Sequence, residues 1–189
     1  MTAIQLAGVL LITGSLIFWL GAALPTWRVY VTTAPDVRAQ LITDNRSYWV
    51  LSHVCFLAGV VTVAIGLGVF TSTIETSNAR SLAIIGLVAI TLASAVWAYI
   101  VLAFRLTMPV EEYVRTTAGA WTFPAYTLLT LGAFILYGVV LLSTDYAAWV
   151  GITTIGLSSL ILVAFIIQKD AIPGMFYIVT LIMGIALLP

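Results

Sequence analysis

The residues able to do chemistry gather in one stretch. His53 is the single histidine and Cys55 the single cysteine of the 189 residues, and Asp36, Arg38, Asp44 and Arg46 lie just before them. Arg46, Trp49 and His53 stand at heptad and i, i+4 spacing. On a helix they share a face, with the imidazole about one turn below the headgroups of a bilayer. A neutral imidazole there can donate a hydrogen bond to a quinone-like or lipid carbonyl, with Trp49 as a flat wall. The commoner case, and the weightier one, is an interfacial histidine satisfied by a carbonyl or hydroxyl of another helix. A haem held by two histidines is excluded by the single histidine, which leaves only a His/Met pair open. No cofactor and no metal is expected.

The other polar residues offer less. Cys55 sits in an apolar run, where a thiol is inert packing. Glu111 and Glu112 open a surface helix, where carboxylates favour the positive helix end, and Glu111 can pair with Arg115 at i, i+4. No zinc, phosphate-loop, nucleophile-elbow or dinucleotide spacing is present. The expectation is that the chain is not an enzyme.

The elements that must position these residues are membrane helices. The chain is 62% hydrophobic and 7% charged, with a mean hydropathy of +1.18, well outside the soluble globular range. Seven basic and seven acidic residues balance, so nucleic acid is not an expected partner. A crossing needs about 20 apolar residues. Six stretches qualify: Ala3–Leu24, Tyr48–Phe70, Ser81–Phe104, Trp121–Leu142, Ala147–Ile167 and the short Pro173–Leu188. The first lacks the basic start of a signal peptide and reads as a retained helix. No Asp, Glu, Lys or Arg falls inside any of the six, which argues against proton- or voltage-driven work. The hydroxyls within them, among them Thr91, Ser94, Thr130, Tyr137, Thr154, Ser158 and Thr180, are expected to bond to the preceding turn or across helices. Small residues (Gly8, Gly14, Gly59, Gly66, Gly68, and the pairs Ala89/Ala93, Ser94/Ala98 and Thr180/Gly184) predict tight helix packing rather than an open pore.

Two polar connections carry a shared start signal. Thr33, Pro35 and Asp36 read as cap, first turn and capping-box partner of an interfacial helix from Thr33 to Arg46. Thr107, Pro109, Glu111 and Glu112 repeat the pattern for a second, ending at Arg115. The fold expected is therefore all-α: one domain over 1–189, six transmembrane helices in three hairpins, and two short interfacial helices. Arg28, Arg38, Arg46, Arg105, Arg115 and Lys169 would share one membrane face, with Arg80 alone on the other. By the excess of basic residues in short cytoplasmic loops, both termini lie outside the cytoplasm, Glu75 and Asp145 with them.

Three segments, IFWLGAALPTWRVY, LITDNRSYWVLSHVCFLAGVVTVAIGL and DAIPGMFYIVTLIMGIALL, cover roughly a third of the chain. In them the chain resembles uncharacterised small six-helix bacterial membrane proteins, a resemblance that implies no functional residues. The uncharged bundle with polar helices on one face suggests a non-catalytic accessory subunit of a larger integral-membrane complex of the bacterial cytoplasmic membrane. By analogy the host would be a respiratory or photosynthetic electron-transfer complex, with other integral membrane subunits and lipids as partners. The alternative is a carrier or binding protein for a neutral or lipophilic molecule such as a quinone, carotenoid or vitamin.

Overall fold

The computed structural model describes residues 1–144, 148–168 and 173–189. Among them the chain is a helical membrane protein with five helices long and apolar enough to cross a bilayer. These are α1 (Ala3–Ala23), α4 (Arg46–Ser72), α5 (Ser77–Tyr99, prolonged as a π-helix over Ile100–Leu106), α7 (Thr122–Leu142) and α8 (Ala148–Gln168). Short helices α2 (Trp27–Val31), α3 (Pro35–Asp44) and α6 (Val110–Tyr113) lie between them. A 3₁₀ turn, Pro173–Met175, leads into α9 (Phe176–Ala186). With its lead-in, α9 is an apolar helix shorter than the other five.

The packing follows the glycines. Among the described helices the most extensive packing joins α1 to α4, α5 to α7 and α7 to α8, and α9 returns to α1. Three of these contacts are glycine on glycine. A Cβ on Gly14 would stand 2.9 Å from the Gly59 carbonyl, and one on Gly59 would stand 2.8 Å from the Gly14 carbonyl. Gly8 with Gly184, and Gly138 with Gly151, repeat this reciprocal approach between α1 and α9 and between α7 and α8. In lipid there is no hydrophobic drive between helices, so such close backbone approach supplies the association through dispersion. Of the other small residues singled out, Gly68 has only Leu87 nearby at 3.7 Å. The Thr91 and Ser94 hydroxyls bond back to Leu87 and Ile90.

Hydroxyl bonds also join helices, along one of these seams and across another pair. Ser15 meets Thr180 at 2.8 Å between α1 and α9, and Thr71 meets Tyr137 at 2.8 Å between α4 and α7. Leu16, Leu20, Ile65, Val88, Leu160 and Ile167 face outward, as lipid-facing positions do.

The connections depart from expectation in three places. Thr33 does not cap α3: the N-cap is Ala34, with extended backbone and no side-chain bond. Pro35 forces its predecessor out of helical conformation, which leaves Thr33 one residue too early. The hydroxyl capping box is at Thr2 and Gln5 instead, at the start of α1. Thr107 does not start a helix either: its hydroxyl donates to the Leu102 and Ala103 carbonyls and closes the π-helix behind it. The second interfacial helix shrinks to Val110–Tyr113. Its Glu111 does not pair with Arg115, which reaches across to Asp36 at 2.5 Å and joins the two repeated segments. The expectations on Asp145 and Lys169 lie outside the described residues.

Candidate functional site

The end of the bundle that carries Arg28, Arg38, Arg46, Arg105 and Arg115 also carries the polar chemistry. Its centre is the π-helical end of α5. An i→i+5 turn leaves carbonyls at a helix end to be satisfied from elsewhere, and α4 supplies the donors. The Trp49 indole N–H donates to the Arg105 carbonyl at 2.8 Å, and Arg46 Nη2 donates to the Leu106 carbonyl at 3.0 Å. These are two of the three residues predicted to share a face. They are brought together as predicted by helical periodicity, and they grip a helix end.

The third, His53, is fully buried beneath Trp49. Its Nδ1 lies 2.6 Å from the Trp49 carbonyl, one turn back, which makes Nδ1 the protonated nitrogen and Nε2 the acceptor. Tyr30 of α2 donates its hydroxyl to Nε2 at 3.1 Å, and Arg105 Nη1 stands 3.4 Å from the same atom. The Tyr30 ring is 45% exposed, but its hydroxyl end points into the bundle. Burial there pushes the phenol up to about 12 against the opposing pull of Arg105, so it keeps its proton and stays a donor. Both imidazole nitrogens are thus engaged within the chain.

Arg105 ends the third crossing, as expected: that helix stops at Leu106. Its side chain does not simply extend away from the bundle. Instead its guanidinium turns back along α5 and lies 5.1 Å from the Trp97 ring centre, two turns earlier, and 5.6 Å from that of Tyr30. The bundle interior is therefore not free of charge near this end. Hydropathy cannot register such a turn, because Tyr30 and His53, which hold Arg105 inward together with Trp97 of its own helix, come from distant segments.

Beside this cluster lies a cavity of about 510 Å³. Phe18 of α1, Phe56 of α4, Trp97 and Arg105 of α5 and Phe123 of α7 line it, and Gly174 and Pro173 close one side. Trp27, Tyr30 and Val31, all exposed, form its outer end. The aromatic walls are held by one another: Phe18 sits 4.6 Å from Phe56 and stacks at 3.9 Å on Tyr177, while Trp97 packs 4.5 Å from Tyr126. Tyr126 and Tyr177 join hydroxyls at 3.1 Å behind the wall. Trp97 is 1% exposed, yet its indole N–H has no hydrogen-bond partner. Buried N–H groups are almost always paired, and this one belongs to a residue lining an open volume. His53, Trp49 and Arg46 stand outside the lining; His53 touches it through Tyr30, Arg105 and the ring of Phe56, 5.6 Å away. Cys55 lies on the neighbouring face of α4, against Gly21 of α1.

Among the described residues no group of three or more His, Cys, Asp or Glu side chains could hold a metal ion. No family model, no curated protein and no solved structure matches the chain.

Proposed function

We propose that the chain is a membrane-embedded binding protein for a lipophilic small molecule, the carrier reading of the two drawn from the sequence. The observation that carries it is the aromatic cavity of about 510 Å³ between α1, α4, α5 and α7. Its size is in the range of drug-sized ligand sites, and its character matches theirs, mostly apolar with a few fixed polar groups. Flat or linear hydrocarbon would lie against Trp27, Tyr30, Val31 and Phe123, the large lining side chains with open surface. In this reading α9 is a sixth, short crossing and the membrane is the bacterial cytoplasmic one. The arginine-rich end with the cavity mouth faces the cytoplasm, and both termini lie outside it, in keeping with the basic-residue rule.

The test is extraction. Protein purified in mild detergent from its own membrane is dissolved in organic solvent and searched by mass spectrometry for a compound near one per chain. Phe123→Ala, which removes a half-buried aromatic from the cavity wall, should lower the yield of that compound. An empty protein whose tryptophan fluorescence responds to no lipophilic candidate refutes the reading. If that empty protein also migrates with other integral-membrane subunits, the accessory-subunit reading takes its place.

A further inference from the structure

A second cavity, of about 230 Å³, adjoins the first and shares Arg105 and Phe123 with it. Arg38 of α3, Tyr113 of α6 and the turn Thr116–Gly119 complete the part that matters here. Gly119 shapes that turn: it has φ +76°, and a Cβ there would meet the Phe104 ring at 2.8 Å. Arg38 lies 6.0 Å from the Tyr113 ring centre, and its Nε is buried without a hydrogen-bond partner. Among the described residues no carboxylate lines either cavity. The carboxylate closest in sequence to Arg38, Asp36, is engaged by Arg115 in the one ion pair among the described residues. Two guanidinium groups thus border one volume with no carboxylate between them among the described residues. Burying charge without a counter-charge is costly, and guanidinium suits planar or tetrahedral oxyanions.

We infer that the molecule bound is an anionic amphiphile. Its carboxylate or phosphate head sits between Arg38 and Arg105 in the smaller cavity, and its chain runs past Phe123 into the aromatic one. The inference rests on the binding reading above and adds the head. Arg105, common to both cavities, stands where head and chain meet. Arg38 borders the smaller cavity alone, so it contacts the head and not the chain.

The experiment places the intact protein in nanodiscs of phosphatidylcholine and titrates dodecyl phosphate, dodecanol and inorganic phosphate, following tryptophan fluorescence. Affinities of the two dodecyl compounds are referred to mole fraction in the bilayer. Dodecyl phosphate should bind at least tenfold more tightly than dodecanol. Arg38→Gln should weaken dodecyl phosphate by about tenfold to a hundredfold, the worth of a lost charge-assisted hydrogen bond, and leave dodecanol unchanged. The unchanged dodecanol affinity also shows that the variant is folded, and Arg38→Lys should recover part of the loss. Equal binding of the two dodecyl compounds, or an Arg38→Gln variant that keeps the preference, overturns the anionic head and leaves the lipophilic reading standing. Inorganic phosphate binding as tightly as dodecyl phosphate makes this a free-anion site and overturns the amphiphile. If neither dodecyl compound binds, the lipophilic reading fails and this one with it.

Discussion

Gly14→Ala adds one methyl group at the crossing of α1 and α4, and the structure sets what it costs. The new Cβ would lie 2.9 Å from the Gly59 carbonyl oxygen, 2.9 Å from the Val63 nitrogen and 2.8 Å from Val63 Cγ2. A rotamer change at Val63 relieves only the last. The two backbone contacts fall about 0.5 Å short of an ordinary 3.4 Å approach, so α1 must move away from α4 by about that much. Overpacking of this kind costs about 1–3 kcal/mol. Phe18 stands one turn further along α1, so the displacement also opens its 4.6 Å contact with Phe56 at the cavity wall. Gly156→Ala is the matched control, because nothing lies within 4 Å of its added methyl. There the better helix propensity of alanine, up to about 1 kcal/mol, should leave stability equal or raised. Reversible unfolding in mixed micelles, followed by circular dichroism, measures both variants. If Gly14→Ala is as stable as Gly156→Ala, the glycine crossing does not hold α1 to α4 and the packing argument is refuted.

Trp49→Phe keeps an aromatic ring but leaves the Arg105 carbonyl unpaired; the expected loss is about 1–3 kcal/mol, with faster amide exchange over residues 100–107 as its specific sign. Asp36→Asn breaks an ion pair whose side chains are 84% and 66% exposed. It should cost less than about 1 kcal/mol and nothing measurable at high salt, so a large, salt-independent loss would show that the pair does more than tie α3 to the far loop. The proposed orientation is checked by impermeant thiol labelling of intact cells in a Cys55→Ser background. Ser77→Cys should react, while Gln40→Cys and Thr117→Cys should not, and the opposite pattern reverses the orientation.

The helices were legible because hydropathy contrast is strong: Tyr48–Phe70 was expected and Arg46–Ser72 is found, the extra residues being polar ends that a composition rule trims. The shared face of Arg46, Trp49 and His53 was legible for the same kind of reason, since helical period alone sets it. What they touch was not. The π-helix at Ile100–Leu106 has no compositional mark, and two of the donors that meet its last carbonyls, Trp49 and Arg46, come from a distant segment. Arg105 read as an anchor at the membrane surface, and Tyr30 carried no signal in a polar connection. Both owe their roles to partners that only the fold brings near. Gly138 and Gly151 were passed over because they lie in separate helices and form a pair only once α7 and α8 cross.

The glycine contacts carry a meaning for the cavity beyond stability. Along α1, α4 and α9 the helices meet backbone on backbone, at Gly14 with Gly59 and at Gly8 with Gly184, and close-packed contacts of that kind have no slack to take up. The opposite flank, formed by Trp97, Arg105 and Phe123, meets the space with side chains alone. The cavity is therefore a vice with one fixed jaw and one adjustable jaw. Under the proposed binding, molecules of different girth would be met by Phe123, half-buried at the edge of the space, while the buried Phe18, Phe56 and Trp97 hold still. Selection for thickness would then fall to the side of α7, with the first crossing as the fixed gauge.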